Sequence, residues 1–400
     1  MSSIFVSFLL KSRPRIGTFE YIIDMETRQY ALKLGNIGKV ALVHDFLLYR
    51  GGAERVLRAL ADMFPEAPIY TLLYDRGGMK GMFLDREVRT SFLGSWPLWL
   101  RKRHRWLLPF YGAATEAIDL RDFDLVISSS GAWTKGIVTR LRTKHIAYIH
   151  SPMRFVWDEN ERYLSERGGF HFVKRALLSY LRLWDKEASM RPDVLVANSE
   201  YTRRRIQKYY RRDADVIFPP VQLFPGTELG AVHLNDRPFL TVSRLSKYKH
   251  TEEIIRAFSK LKLPLLVVGV GRECAQLEKL VPPNVKLVGD VSDAELGNLL
   301  GKARAFVFAS DEDFGLSLAE AQAAGLPAIA LRKGGAVEIV NEKTGVFFFK
   351  PTALSIAEAV EDYISRETSF DRGNIKKSAE RFSEAVFREK MMEAMRKVIA

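Results

Sequence analysis

The sequence predicts an α/β protein made of two doubly wound domains, each a parallel sheet with helices on both faces. Three observations lead to this fold class: a length of 400 residues, short apolar runs that alternate with helical periodicity, and a cluster of Pro and Gly near the middle. A compact domain averages roughly 100–200 residues, so this length suggests two. Alternating strands and helices favour parallel sheets, because parallel neighbours need a crossover connection.

The first domain is predicted to span residues 39–222. A short apolar run at residues 40–43 precedes the Gly51-Gly52 pair, and apolar residues then recur at helical spacing from Val56 to Phe64. This order predicts strand, glycine-rich turn and helix. Further apolar runs predict strands at residues 125–128, 146–149, 194–197 and 216–218. A helix is predicted over residues 177–188, between the second and third of these strands.

A linker is predicted at residues 223–238, because Pro and Gly are concentrated between residues 218 and 238. The alternation then resumes in a second domain, residues 239–383. Its strands are predicted at residues 239–242, 265–268, 285–288, 305–308, 328–330 and 346–349, with helices such as 252–261 and 294–302 between them. A C-terminal helix is predicted at residues 384–400.

The first 38 residues do not fit the start of either domain. An apolar run at residues 4–10 follows no basic residue and precedes no small-residue cleavage site, which argues against a secretory signal. We interpret residues 1–38 as an extension, a peripheral anchor or a segment upstream of the true start.

Composition excludes several classes of protein. With 47% hydrophobic and 27% charged residues, the chain is globular rather than disordered or collagen-like. The single cysteine, Cys274, cannot form an intrachain disulfide and favours a reducing, cytoplasmic location. No apolar run reaches the roughly 18 residues of a membrane span.

The net charge of +13 is unevenly distributed. Residues 1–222 carry 36 Lys and Arg against 24 Asp and Glu, and the remaining 25 basic residues face 24 acidic ones. The first half therefore carries a net charge of +12. Such asymmetry suggests an anionic partner, which could be nucleic acid, a membrane surface or a phosphorylated substrate. A basic surface that only aids solubility is the alternative.

The strongest candidate site follows the predicted strand 305–308. Glu312 is expected at the cleft, a turn containing Gly315 follows, and a helix should begin near Ser317. Amides of the turn and helix start could bind a phosphate, and Glu320 could accept hydrogen bonds from a diol such as ribose. Two alternatives remain: Ser317 and Glu320 also form a capping-box pattern, and Asp311-Glu312-Asp313 matches a D-x-D metal motif.

Three further candidate sites lie at predicted strand ends. Arg244 and Lys249 could bind a pyrophosphate, although a solvated basic loop is the simpler interpretation. The Gly51-Gly52 pair would let the backbone approach a ligand at a helix start. His150 ends a strand and is expected to face the cleft, although an isolated histidine is more often structural.

Together these motifs resemble retaining glycosyltransferases of the GT-B fold in glycosyltransferase family 4, over about residues 39–400. The residues that carry the resemblance are Glu312 and Glu320 in an E-x7-E motif, Arg244 with Lys249, the Gly334-Gly335 pair, Gly51-Gly52-Ala53-Glu54, and His150-Ser151-Pro152-Met153-Arg154. The first domain is most similar to the GDP-mannose-using mannosyltransferases of O-antigen and other bacterial surface polysaccharides.

The resemblance implies a catalytic or donor-binding role for the residues of these motifs. Catalytic roles would fall to His150, Glu312, Arg244 and Lys249, with His150 and Glu312 at the transferred sugar. Donor-binding residues would be Gly51, Gly52, Arg244, Lys249, Phe314, Gly315, Leu316 and Glu320. Arg244 and Lys249 would hold the diphosphate and Glu320 the ribose, so that neither a metal nor another cofactor is needed. The C-terminal helix would pack back on the first domain.

The resemblance therefore implies transfer of a hexose, mannose from GDP-mannose, to a glycan or polyprenyl-diphosphate-linked saccharide. The alternatives are a UDP-sugar donor, a GT-B nucleotide-sugar epimerase or phosphorylase, and a nucleic-acid-binding protein suggested by charge alone. Residues 96–110, here called the Trp-rich segment, contain three Trp and four Lys or Arg. This mixture is typical of contact with an anionic membrane, although snorkelling cations on a buried helix would also explain it. We expect a cytoplasmic enzyme docked peripherally on the plasma membrane.

Overall fold

The computed structural model describes residues 37–158, 171–222 and 237–399. Within these ranges the chain forms two parallel sheets, each covered by helices, and the predicted fold class is confirmed. The predicted extension, except for its last two residues, and residues 223–236 of the predicted linker lie outside the described ranges.

The first sheet has seven parallel strands in the order β3-β2-β1-β4-β5-β6-β7. The strands are β1 Val40–Leu47, β2 Ile69–Tyr74, β3 Val88–Thr90, β4 Leu125–Ser130, β5 Lys144–Ile149, β6 Val194–Ala197 and β7 Asp215–Val216. Sequence reasoning missed β2, although its apolar run is buried, and β3, which has only three residues at the sheet edge. The strand predicted at residues 216–218 is shorter and begins one residue earlier.

The first domain has six α-helices in the described ranges: α1 Gly52–Met63, α2 Leu98–Lys102, α3 Tyr111–Glu116, α4 Arg154–Trp157, α5 His171–Ser189 and α6 Glu200–Tyr210. Helix α1 buries Val56, Leu57 and Leu60 against the sheet, as their spacing predicts. Burial of each such side chain stabilises the fold by roughly 1.5–3 kcal/mol. This packing fixes the start of α1 beside the carboxyl end of β1.

The second sheet has six parallel strands in the order β10-β9-β8-β11-β12-β13. The strands are β8 Phe239–Val242, β9 Leu265–Val268, β10 Val285–Gly289, β11 Phe306–Phe308, β12 Ala328–Leu331 and β13 Gly345–Phe348. Each agrees with a predicted strand to within one residue at either end. The helices of this half are α7 Thr251–Leu261, α8 Cys274–Glu278, α9 Asp293–Lys302, α10 Leu316–Ala323, α11 Ala336–Ile339, α12 Ala353–Ser365 and α13 Arg372–Ala379.

The C-terminal helix, α14 Glu384–Ile399, packs on the first domain, as the resemblance implies. Phe387, Met391 and Met395 are buried in the same hydrophobic core as Leu57 and Tyr148. The rings of Phe387 and Tyr148 meet edge to face with centroids 5.9 Å apart. The chain thus returns to its first sheet after completing the second.

Candidate active site

The glycine pair lies where the two domains approach each other. Gly51 caps α1 in extended backbone, without a side-chain cap, and Gly52 is the first helical residue. A Cβ on Gly52 would lie 3.2 Å from Cδ2 of Leu316, the first residue of α10 in the second domain. A Cβ on Gly51 would lie 2.8 Å from the carboxylate of Glu54. The pair therefore allows close packing against Glu54 and Leu316, and its contact with a ligand stays a prediction.

His150 follows β5 and belongs to a buried polar chain. Its Nε2 lies 2.7 Å from Oγ of Ser129, and the same oxygen lies 3.0 Å from Nδ1 of His44. Burial, assisted by the nearby imidazole of His44, lowers the pKa of His150 to about 4. His150 is therefore a neutral imidazole near pH 7.

Asp45 organises the loop that borders this chain, a role that sequence reasoning missed. Its carboxylate accepts hydrogen bonds from the backbone N–H groups of residues 131–134, at 2.6–3.0 Å, and from the hydroxyl of Thr134 at 2.7 Å. These bonds fix the turn after β4. The sequence did contain a signal for this role. Asp45 lies near the end of β1, and the neighbouring strand β4 ends in three serines followed by a glycine.

Lys249 and Glu312 form an ion pair in the second domain. Lys249 is buried, whereas Glu312 is only partly covered. Arg244 follows strand β8 and is exposed. Its guanidinium lies 4.2 Å from the ring centre of Tyr49 in the first domain. The structure thus brings both predicted cations to the cleft, each in contact with a group that a ligand could displace.

Glycines shape the loop between Glu312 and α10. Gly315 caps the helix with φ of +99°, a conformation that favours glycine. The N–H of Gly335 donates to the carbonyl of Glu312 at 2.9 Å, and a Cβ there would lie 2.2 Å from the carbonyl oxygen of Phe314. The Gly334-Gly335 pair therefore packs directly under this loop.

Phe314 and Leu316 differ in what they offer a donor. The ring of Phe314 is buried against Phe218 and Phe382, with centroids 5.7 and 5.4 Å apart, so only its backbone is free to meet a ligand. Leu316 is partly buried and contacts Gly52. The predicted phosphate contacts of residues 314–316 are thus restricted to backbone groups.

The capping-box interpretation of Glu320 is wrong. Helix α10 begins at Leu316, so Ser317 is already inside the helix, and Gly315 provides no side-chain cap. Glu320 is instead buried, and its carboxylate pairs with Arg55 from α1 of the first domain. Burial lowers the pKa of Arg55, with Asp293 opposing that shift, but the guanidinium remains charged. Sequence reasoning did not identify Arg55.

Asp313 connects the two domains. One carboxylate oxygen accepts from Nε of Arg154 at 2.9 Å, and the other pairs with Arg205, whose side chain is 7% exposed. The hydroxyl of Ser199 donates to the carbonyl of Asp313 at 2.6 Å. Both carboxylate oxygens are thus engaged by arginines, which disfavours the D-x-D metal interpretation. Among the described residues, no group of three or more His, Cys, Asp or Glu could hold a metal ion.

The Trp-rich segment folds as α2 and a 3-10 turn over His104–Phe110. Trp99 and Trp106 are 60% and 61% exposed, and the guanidinium of Arg103 lies 4.8 Å from the ring centre of Trp106. A buried helix therefore does not explain these two tryptophans. No helix in the described ranges is both long and apolar enough to span a bilayer.

Two family models match successive parts of the chain. Residues 50–223 match the model described as "Glycosyltransferase Family 4", and residues 231–388 match "Glycosyl transferases group 1". The boundary between the matches falls in the predicted linker. The first match contains the glycine pair and His150, and the second contains Arg244, Lys249 and the E-x7-E motif.

Known proteins resemble the chain at low identity. A GDP-mannose-dependent alpha-mannosyltransferase of Corynebacterium glutamicum is 30% identical over 127 residues, which span 30% of each chain. The human alpha-1,3/1,6-mannosyltransferase ALG2 is 23% identical over 296 residues, covering 63% of this chain and 68% of its own. The structure of Anabaena HepE with UDP and glucose superposes with a TM-score of 0.65 at 17% identity, covering 90% of this chain and 99% of HepE. The fold is that of GT-B glycosyltransferases.

Proposed function

We propose that this chain, a group 1 glycosyltransferase of the GT-B type, transfers mannose from GDP-mannose to a saccharide acceptor with retention of configuration. The observation that carries the proposal is the grouping of Glu312, Glu320 and Lys249 at the domain cleft. A nucleotide sugar needs cations for its diphosphate and carboxylates for its hydroxyls. The cleft supplies both.

In this proposal the donor diphosphate replaces the present partners of the two cleft cations, a carboxylate for Lys249 and an aromatic ring for Arg244. Lys249 exchanges Glu312 for a phosphate oxygen, and Arg244 moves from the ring of Tyr49 to the other phosphate. Glu312 is then free to accept hydrogen bonds from hydroxyls of the transferred sugar. Glu320 exchanges Arg55 for the ribose hydroxyls. Lys249 thus stays paired with an anion, and the two carboxylates exchange a cation for hydroxyl hydrogen bonds, so each remains hydrogen-bonded after the exchange.

The same contacts stabilise the transition state. Cleavage of the sugar–phosphate bond develops positive charge at the anomeric carbon and negative charge on the departing diphosphate. Arg244, Lys249 and backbone N–H groups at the start of α10 stabilise that negative charge, which is often a large catalytic term. The acceptor hydroxyl attacks from the face that the diphosphate leaves, and a phosphate oxygen takes its proton. This scheme requires no metal.

Mannose and GDP are proposed because the named relatives that match the sequence include two mannosyltransferases. A UDP-sugar is the second candidate donor, favoured by the overall similarity to HepE, whose structure contains UDP and glucose. For the acceptor we propose a glycan or polyprenyl-diphosphate-linked saccharide of a surface polysaccharide such as O-antigen. The exposed tryptophans of the Trp-rich segment support peripheral docking on an anionic cytoplasmic membrane surface.

A donor panel tests the proposal. The purified chain is incubated in excess EDTA with GDP-mannose, UDP-glucose or UDP-N-acetylglucosamine, and released nucleotide is measured, with Glu312→Gln as the inactive control. Slow hydrolysis of GDP-mannose alone is expected. Release of UDP instead would contradict the donor. Complete loss of activity in EDTA, restored by magnesium or manganese, would support metal binding by Asp311 and Asp313.

A further inference from the structure

Four polar side chains of the first domain lie in one row, which is buried at Glu54, His44 and Ser129 and ends at the partly exposed His150. The carboxylate of Glu54 lies 3.6 Å from Nε2 of His44, whose Nδ1 lies 3.0 Å from Oγ of Ser129. That oxygen lies 2.7 Å from Nε2 of His150. Glu54, His44 and Ser129 are 8%, 3% and 0% exposed, so water cannot readily substitute for any of these contacts. We call this row the histidine chain.

The single proton of the Ser129 hydroxyl gives the histidine chain a direction. Ser129 can donate to only one of the two imidazoles, so the other imidazole must donate to Ser129. In one direction Ser129 donates to His44, and His150 carries its proton on Nε2. In the opposite direction His44 donates from Nδ1, and the proton of His150 lies on Nδ1. In the first direction Nδ1 of His150 is an unprotonated acceptor, and in the second it is an N–H donor.

Glu54 distinguishes these directions. At 3.6 Å its carboxylate is beyond good hydrogen-bond distance from His44, but its negative charge still favours a proton on the facing Nε2. When the single ring proton of His44 lies on that nitrogen, Nδ1 has a lone pair and accepts a hydrogen bond from Ser129. We infer that Glu54, through His44 and Ser129, holds His150 in the Nε2-protonated tautomer and leaves its Nδ1 as a hydrogen-bond acceptor.

The surroundings of the histidine chain support this direction. The low pKa of His150, caused by burial and by His44, keeps its ring neutral, so a single proton must be allocated between its two nitrogens. Glu54 is held close by its position in the first turn of α1 and by the absence of a side chain on Gly51. Replacing that glycine would press a methyl group against the carboxylate. The helix position and the glycine thus keep the carboxylate of Glu54 facing His44.

The consequence for the reaction rests on the proposed function. His150, His44 and Glu54 line a pocket at the carboxyl end of the first sheet. An unprotonated Nδ1 on His150 would accept a hydrogen bond from a sugar hydroxyl in the cleft, whereas an Nδ1–H could not. The hydroxyl could belong to the donor or to the acceptor. Glu54, His44 and Ser129 are then positioning residues, and only His150 meets the sugar.

The tautomer is measurable without any substrate. In the wild-type chain labelled with nitrogen-15 histidine, long-range proton–nitrogen spectra distinguish a protonated ring nitrogen from an unprotonated one, and the signals of His150 are those missing in His150→Asn. We expect Nε2 to be protonated and Nδ1 unprotonated near pH 7. A His150 protonated on Nδ1 would overturn the inference, whether or not the chain transfers a sugar.

Glu54→Gln tests the origin of the direction, with the exposed Glu66→Gln as the matched control. Loss of the charge should give His150 a mixture of tautomers and lower kcat at least fivefold. An unchanged nitrogen-15 spectrum in Glu54→Gln would remove Glu54 from the account. If Glu54→Gln folds poorly, Ser129→Ala provides a second way to interrupt the histidine chain.

Measurements of donor binding and of acceptor KM identify which sugar hydroxyl contacts His150. Weaker GDP-mannose binding in Glu54→Gln, relative to unchanged GDP binding, would assign it to the donor sugar. A raised KM for the acceptor alone would assign it to the acceptor. An altered tautomer with kcat, donor affinity and acceptor KM all unchanged would contradict the proposed contact with a sugar.

Discussion

Arg55 of the first domain and Glu320 of the second form an ion pair across the cleft. Glu320 is 4% exposed and Arg55 lies beside Asp293 at 3.8 Å, so the guanidinium is held between two carboxylates of the second domain. The resemblance implies that Glu320 binds ribose. Arg55 therefore pairs with the carboxylate that the nucleotide is proposed to use, and we predict that donor binding displaces it.

Removing Glu320 should weaken nucleotide binding, whereas removing its partner Arg55 should not. Glu320→Gln is expected to weaken GDP binding about tenfold or more, since a hydrogen bond to a charged group contributes about 1.5–3 kcal/mol. Arg55→Met should leave GDP binding equal or tighter, because it removes a competitor for Glu320. Isothermal titration calorimetry measures both. Equal GDP affinity in wild type and Glu320→Gln would exclude the ribose contact.

Lys249 should be required for turnover. Lys249→Ala removes a buried cation that the proposal places on the diphosphate, and activity is expected to fall at least tenfold from the loss of about 1.5–3 kcal/mol. Lys247→Ala is the matched control, because Lys247 lies in the same loop and is exposed. Nucleotide-release rates and thermal unfolding curves are compared for both. Full activity in Lys249→Ala would show that another group binds the diphosphate.

Asp313 should stabilise the folded protein more than the exposed interdomain pair of Asp290 with Lys80 does. Asp313→Asn leaves the buried guanidinium of Arg205 with one carboxylate fewer, and should lower the free energy of unfolding by about 1–3 kcal/mol. The control is Asp290→Asn, which breaks the interdomain pair with Lys80. Those side chains are 54% and 59% exposed, so the cost should stay below about 1 kcal/mol. Similar losses in urea denaturation would contradict this ranking.

The sequence predicted most strands of the two sheets because each of them contains a short apolar run. The edge strand β3 was missed because its three residues are partly buried or exposed and follow no apolar pattern. Strand β2 is different, since its buried run was visible in the sequence and was overlooked. A strand with no apolar run, such as β3, therefore gives no local signal in the sequence.

Site residues were predictable where they end a strand, and not where their partners come from the other domain. The positions of His150, Arg244 and Glu312 follow from strand ends, which meet at one edge of a parallel sheet. No local pattern could pair Arg55 with Glu320, or Arg154 and Arg205 with Asp313, because those contacts depend on how the domains face each other. The mistaken capping box at Ser317 arose because the pattern fits a helix that begins two residues later, at position 318.

The Trp-rich segment should bind anionic membranes. Co-sedimentation with phosphatidylglycerol vesicles is expected, with loss at high salt, because each basic residue near the surface contributes about 1 kcal/mol that salt screens. Replacing Arg101, Lys102, Arg103 and Arg105 with Ser should reduce binding. The charge-matched control replaces four exposed basic residues elsewhere in the first domain, namely Lys39, Arg140, Arg142 and Lys144. Equal sedimentation of the Trp-rich variant and wild type would exclude this segment as the membrane contact.

A crystal structure of the wild-type chain with bound GDP tests the central claim most directly, because it shows which groups hold the nucleotide. We predict that the diphosphate contacts Arg244 and Lys249, that the ribose hydroxyls donate to Glu320, and that Arg55 has left that carboxylate. A diphosphate bound away from both cations, or a ribose bound while Arg55 and Glu320 remain paired, would contradict the account.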